Sequence, residues 1–375
     1  MSDKVAIIGI GYIPLRPATP EISFKELTFA VARQAYDDAG VHFDAIGSFV
    51  TCAEDFNEGI SIFDEYTPDQ LGAVQKPMHT VTHDGLCGIA DAVMQIRAGI
   101  ADIVVVEAHS KASNIVTPDW VLDYALDPIY NRPLAFNPHA LAALEMNRFL
   151  HETGVTPAQC AEVVTQNRAR GRRNPLSAYP SDSTAASRYF SYPLHEAEMA
   201  QAADGCVVVV LASENRSRTS KKQPIWLKGI GFVGDTPALE SRDWAHAEYA
   251  RLAGAMAYKQ ARIEPHAIDL FEVDDTYAFK QIQHLFALGF YDDSKSAADA
   301  LDIAADEARG VNLSGGSLGM GHALEASGLY RLLEVVLQLR GEAGAHQLTN
   351  AKTGLAQSWR GVPTASGAVA ILGLE

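Results

Sequence analysis

Short apolar runs alternate along this chain with longer stretches in which apolar residues recur at helical spacing. The runs Val5–Ile10, Ile46–Thr51, Ile103–Glu107, Val207–Ala212, Ile268–Val273 and Ala368–Leu372 predict strands, and segments 24–40, 88–99, 140–153, 246–261 and 328–341 predict helices. Val104-Val105-Val106 and Val207 through Val210 carry no alternating polar positions, so these strands are expected to be covered on both faces. Strand and helix alternate throughout, which predicts an α/β fold.

The pattern repeats. Ala35-Tyr-Asp-Asp-Ala-Gly-Val-His-Phe-Asp-Ala-Ile-Gly-Ser-Phe49 lies in register with Ala257-Tyr-Lys-Gln-Ala-Arg-Ile-Glu-Pro-His-Ala-Ile-Asp-Leu-Phe271, at the same offset at both ends. Identical or homologous apolar residues coincide along a predicted helix, turn and strand. Gln95-Ile-Arg-Ala-Gly99 is echoed by Gln338-Leu-Arg-Gly341, each closing a helix. Repetition over this length predicts two α/β halves, 1–222 (with a helical loop region at 110–200) and 223–375. They meet near Ser213–Pro224, a polar stretch without periodicity.

Composition narrows the function. The chain has 375 residues, more than one ordinary domain of about 100–200. Lys and Arg number 30 against 46 Asp and Glu, a net charge of −16, which disfavours nucleic acid unless a local basic patch intervenes. Arg168-Ala-Arg-Gly-Arg-Arg173 is such a patch. The four cysteines, Cys52, Cys87, Cys160 and Cys206, are dispersed and form no Cys-x-x-Cys pair, so neither a disulfide scaffold nor a zinc ribbon is expected. No metal-ligand spacing appears among the twelve histidines. The start of the chain does not read as a signal peptide, and no apolar run approaches the ~20 residues that span a bilayer. These features predict a soluble protein of a reducing compartment, the cytoplasm, with no membrane or nucleic-acid partner.

Three motifs give the duplicated chain a family resemblance. Val311-Asn-Leu-Ser-Gly-Gly-Ser-Leu-Gly-Met-Gly-His-Ala-Leu-Glu-Ala-Ser-Gly328 resembles the thiolase pattern Asn-x-x-Gly-Gly followed by Gly-His-Pro-x-Gly-Ala-Ser-Gly, with Ala323 in place of proline and Glu325 in place of glycine. Asp204-Gly205 resembles the Asp-Gly-Ala-Ala strand that ends the first half in that family. Ala143–Pro157 followed by Asn174-Pro175 resembles the helical loop region of archaeal-type and sterol-carrier-type thiolases. The resemblance implies a layered α/β/α/β/α fold and a coenzyme A thioester as substrate, with no covalently held cofactor. It also implies a homodimer built on the first half, and an OB-fold, zinc-ribbon companion protein of the kind that archaeal-type thiolases use to hold coenzyme A.

The catalytic positions depart from that family. Thiolases attack acyl-CoA with a cysteine at a helix N-terminus, where the thiol pKa is lowered. Counting back from the helix that closes at Gly99, that slot falls on Asp84, and Cys87 comes three residues later, about one helical turn. Cys87 reads either as a displaced nucleophile or as a small core residue, and Asp84 either as a catalytic acid or as a helix cap. The family's second cysteine is replaced by Ala365 in Gly361-Val-Pro-Thr-Ala-Ser-Gly367, an ending that resembles cysteine-lacking, thiolase-like aldolases. The family's Asn-Glu-Ala-Phe or His-Asp-x-Phe matches Asp274-Asp-Thr-Tyr277.

His322 is the family base that remains. Together with Asp84, Asp274, Cys87 and Tyr277 it makes up the candidate catalytic set. Against these roles stand ordinary ones: Asp274 and Asp275 as solvated loop carboxylates, Tyr277 as a core aromatic, and His83 as structural. Ser314, Gly315, Gly316 and Gly367 are the candidate contacts to a pantetheine arm, and Arg168–Arg173 either grips the coenzyme A phosphate or is a helix end. The loop lacks the Walker lysine, and Gly9-Ile-Gly11 is a weaker nucleotide signal still. Three functions remain: thiolase-like acyltransfer, placed first; cysteine-independent retro-aldol cleavage of a β-hydroxyacyl-CoA; and a non-catalytic scaffold.

Overall fold

The computed structural model describes residues 4–180, 188–291, 297–361 and 365–375. One nine-stranded sheet runs through it, built from β1 (Val5–Tyr12), β2 (Ser48–Cys52), β3 (Met78–Val81), β4 (Ile103–Ser110), β5 (Gly205–Ser213), β6 (Ile225–Gly234), β7 (Leu270–Glu272), β8 (Thr353–Arg360) and β9 (Ser366–Gly373). Its order is β3-β2-β4-β5-β1-β6-β9-β8-β7. The main helices are α1 (Phe24–Ala39), α2 (Gly85–Arg97), α3 (Pro138–Thr153), α4 (Pro157–Gly171), α5 (Glu248–Ala261), α6 (Ala278–Ala287) and α7 (Ser327–Arg340). Among the described residues, no helix is long and apolar enough to cross a membrane.

Outward from the central β1–β6 pair, the two flanks repeat one plan. Each opening strand pairs with the closing strand of its own half, then come the inner strands, with parallel pairing at the far end. Alternation along the strands builds the layers. Phe49, Val105, Val208 and Val210 face α1, whereas Val50, Val104, Val209 and Leu211 face a central cluster that contains α2 and α7. In the second half, Leu270, Ala356, Ala368 and Ala370 face that same cluster, and Phe271, Leu355, Val369 and Ile371 face α5. The result is the expected α/β/α/β/α layering.

Helix α7 shows what the central layer demands. It is buried from Ser327 to Leu339, although Arg331, Glu334 and Gln338 lie within it. Glu334 is answered by His346 and by the amide of Gln338. A polar stripe in a helix covered on all sides persists only when each group finds such a partner.

Gly9-Ile-Gly11 has its explanation in the packing. A Cβ on Gly9 would lie 2.5 Å from the Ala35 carbonyl oxygen, and one on Gly11 2.2 Å from that of Val31, so α1 rests directly on β1. Gly229-Ile-Gly231 repeats this in the second half, where Cβ atoms would lie 2.1 Å from the carbonyl oxygens of Ala257 and Ala253 on α5. The Gly-x-Gly pairs therefore serve helix–strand contact and not phosphate binding. They also hid β6 from a reading by apolar runs, since glycine and Lys228 interrupt it.

Candidate active site

Helices α2 and α7 begin side by side, and one carboxylate closes both. Asp84 caps α2 by accepting the Leu86 N–H through Oδ1 at 2.9 Å, and its Oδ2 accepts the Gly328 N–H of α7 at 2.8 Å. Gly328 permits this approach, because a Cβ there would lie 1.9 Å from Asp84 Oδ1. Two helix N-termini thus converge on one buried negative charge, the arrangement that the macrodipole favours. Burial nonetheless raises the Asp84 pKa, against the lowering effect of those N–H groups and of Arg331.

Cys87 lies in the first turn of α2. Burial and the Asp84 charge push its thiol up to about 12, so it is protonated at neutral pH. A helix N-terminus ordinarily lowers a thiol pKa, but here the capping carboxylate has already taken that role. Cys52, Cys160 and Cys206 are buried, and desolvation raises all three. No cysteine of this chain is a thiolate in this fold.

His322 follows the short helix 316–320, at the end of the glycine-rich loop. Its backbone N–H donates to the Gln201 carbonyl at 2.7 Å, and its carbonyl accepts the Ala203 N–H at 2.8 Å, which fixes the residue against the extended segment 199–203. The ring Nδ1 lies 3.1 Å from Ser327 Oγ and 3.4 Å from Thr276 Oγ1. Ser327 Oγ accepts the Ala323 N–H at 2.9 Å, so its own proton is available to Nδ1. That assignment leaves the ring proton on Nε2. Burial lowers the His322 pKa to about 4 against the opposing charge of Asp274. At neutral pH His322 is therefore a neutral imidazole that presents Nε2–H as a hydrogen-bond donor.

Asp274 and Asp275 are both fully buried, so the solvated-loop reading fails for both. They point to different places. Asp274 Oδ1 accepts the Thr276 N–H at 2.9 Å and Oδ2 lies 2.6 Å from Arg331 Nη2, which helps hold its carboxyl below the usual range despite burial. Asp275 caps the short helix 316–320, accepting N–H bonds from Ser317 and Leu318, and takes a third bond from Asn167 Nδ2 at 2.8 Å. Burial pushes it up to about 6. Tyr277 is in the core, as an aromatic there usually is, but its hydroxyl meets His139 Nδ1 at 2.8 Å.

The candidate pantetheine contacts are taken up by the protein itself. Ser314 Oγ donates to Glu272 Oε2 at 2.6 Å. A Cβ on Gly315 would lie 2.5 Å from the Gly171 nitrogen, one on Gly316 2.2 Å from Asp275 Oδ2, and one on Gly367 2.8 Å from the Tyr249 ring. Their close approaches join the loop to α4 and to Asp275, and β9 to Tyr249, because the layers leave no gap at these positions. In the basic run, Arg170 is buried with its Nε 3.6 Å from Glu307 Oε2, and Arg173 also pairs with Glu307. Arg168 donates to the Ala197 carbonyl at 2.9 Å. Asp204, in the Asp-Gly pair, ties Thr19, Ser113 and Lys111 together. Ala365 is buried in the helical-region core, and residues 362–364 of that ending lie outside the described residues.

Sequence reasoning missed four residues of this site. Ser327 stood in the quoted motif but only as part of a pattern, and Thr276 stood between two residues that drew the attention. Arg331 could have been found as the charge inside an apolar helix. His139 had one signal, its place at the start of α3 behind the cap Asn137 and Pro138.

Comparison with known proteins adds to this geometry. Residues 233–374 match the family described as thiolase C-terminal domain-like. The chain is 27% identical over 365 residues to an acetyl-CoA acetyltransferase of Methanothermobacter thermautotrophicus, covering 94% of each chain. It is 23% identical to the 17-hydroxy-3-oxo-4-pregnene-20-carboxyl-CoA lyase of Mycobacterium tuberculosis, covering 97% of this chain and 98% of the lyase. A solved structure named Ltp2-ChsH2(DUF35) aldolase shares the fold with a TM-score of 0.82 at 21% identity, covering 99% of this chain and 98% of that one.

Proposed function

We propose that this chain, which belongs to the thiolase superfamily, cleaves or forms the carbon–carbon bond of a β-hydroxyacyl-CoA by retro-aldol chemistry without a covalent intermediate. The observation that carries the reading is the start of α2: Asp84, on which the count along the sequence puts the nucleophile slot, has both oxygens bound to helix N–H groups, and Cys87 is a protonated thiol. Retro-aldol cleavage needs a place for the enolate and a proton acceptor for the hydroxyl, and no nucleophile. His322 supplies the first. Its Nε2–H points away from Ser327 and Thr276 and meets the thioester oxygen, where it stabilises negative charge as that charge develops. Asp274, fixed by Arg331, keeps Thr276 in place beside the ring.

Likeness to a CoA lyase along nearly the whole chain supports this reading, and likeness to an acetyl-CoA acetyltransferase supports acyltransfer as the second one. We further propose that the chain forms a homodimer through β3, which lies at the sheet edge and, among the described residues, pairs with β2 alone. An unpaired strand of this kind is a ready template for a second copy. An OB-fold, zinc-ribbon companion remains part of the proposal, supported by a solved neighbour whose name joins Ltp2 to a DUF35 component.

Two measurements test the reading. Mass spectrometry with peptide mapping after exposure to acetyl-CoA is expected to show no adduct on any cysteine. Cys87→Ser is expected to keep cleavage of a β-hydroxyacyl-CoA within about threefold of the parent, with iodoacetamide reacting slowly because a thiol of pKa about 12 is almost wholly protonated at neutral pH. Acylated Cys87 together with an inactive Cys87→Ser would transfer the assignment to a thiolase-type acyltransferase.

A further inference from the structure

We infer that Tyr277 and His139 form the proton-accepting pair for the substrate's β-hydroxyl, facing His322 across the site. The inference rests on the retro-aldol reading and adds the group that the reaction still lacks. Tyr277 Oη and His139 Nδ1 are 2.8 Å apart, with the two rings edge to face. Tyr277 immediately follows Thr276, whose hydroxyl touches the His322 ring.

The extended segment 199–203 lies along both residues, with Met199 bridged to Tyr277 and Ala202 bridged to His322.

Neighbouring carboxylates and His284 hold structural partners. Both oxygens of Asp84 hold helix N–H groups, Asp274 is paired with Arg331, and Asp275 caps the short helix. His284 has Nδ1 on the Asp274 carbonyl at 2.9 Å and Nε2 on the Tyr249 hydroxyl at 2.9 Å. His139 stands half-buried on the second residue of α3, with the Phe190 ring against its edge. Phe279 and Trp359 pack on Tyr277 and fix the direction of its hydroxyl.

The proton and electron movements balance with these groups alone. The β-hydroxyl proton passes to Tyr277 Oη as the Tyr277 proton passes to His139 Nδ1. The electron pair of the O–H bond forms the new carbonyl, the Cα–Cβ bond breaks, and its pair forms the thioester enolate at His322 Nε2–H. The proton then returns through Tyr277 to Cα. The products are a carbonyl compound and the shortened acyl-CoA. A β-keto substrate has no such proton, so this pair selects the β-hydroxyacyl class.

The test uses the full chain and 3-hydroxy-3-phenylpropanoyl-CoA, whose cleavage releases benzaldehyde and acetyl-CoA. Tyr277→Phe and His139→Ala are each expected to lower kcat about 100-fold or more with KM within threefold, in the range of lost acid–base catalysis. Added imidazole is expected to restore part of the His139→Ala rate. His139→Asn, which places an acceptor oxygen near the Nδ1 position without basicity, is expected to stay inactive. Tyr277→Phe keeps the packed ring, so it carries the test should His139→Ala fail to fold. An unprocessed probe with the unmodified chain removes the retro-aldol reading and this inference with it. Cleavage by the unmodified chain, with a normal rate in Tyr277→Phe or a fully active His139→Asn, overturns the inference alone.

Discussion

His322→Ala is expected to lower kcat by about 10²–10³-fold, the effect of removing one preorganised donor to a developing oxyanion. KM and stability are expected to stay close to those of the parent, because the ring's hydrogen bonds are to the hydroxyls of Ser327 and Thr276, which water can replace. The backbone bonds of residue 322 to Gln201 and Ala203 do not depend on the side chain and persist in the variant. A second measurement separates a donor from a base. With a pKa of about 4, the ring is neutral at pH 6, and 15N spectra of histidine-labelled protein should report the proton on Nε2. A kcat within threefold of the parent, or an imidazolium signal for His322 at pH 6, would sink this role.

The second large effect falls on stability. Arg331→Met is expected to cost about 3–5 kcal/mol, because it leaves the fully buried Asp274 carboxylate without its cation. Urea unfolding would report this as a lower midpoint. Arg331→Met combined with Asp274→Asn should recover much of the loss, since an amide needs no counter-ion. Breaking one partner of a buried pair is costly, whereas removing both charges is much less so. Activity should fall in both variants, because the Thr276 N–H donates to Asp274 Oδ1 and the Thr276 hydroxyl stands beside His322. A loss of under 1 kcal/mol in Arg331→Met would show that the pair does not hold this part of the core.

Much of the architecture could be read before folding. The apolar runs marked the inner strands because a strand covered on both faces must be apolar at consecutive positions, as in Val207 through Val210. The echo of Ala35–Phe49 in Ala257–Phe271 marked the duplication, since each copy needs the same small residues where its helix rests on its strand. Strands β6 and β8 were harder. Glycines interrupt the first, and Gln357 and Ser358 break the apolar pattern of the second, although both residues are buried.

The sequence by itself determined which chemical groups exist: a His in a glycine-rich turn, an Asp at the start of a helix, and a Cys one turn later. Spacing along one chain fixes these because a helical turn has a set length. Only the tertiary structure decided their states. Gly328 lies far from Asp84 in sequence, yet its N–H binds that carboxylate and helps make it a cap for two helices. The same carboxylate, together with burial, keeps Cys87 protonated. Arg331 holds Asp274, read from sequence either as a catalytic group or as a solvated loop acid, in a buried ion pair, and Tyr277 meets His139 from a distant helix. A pKa or a hydrogen-bond partner depends on distances between segments and on the water removed between them, and neither quantity is written in local sequence.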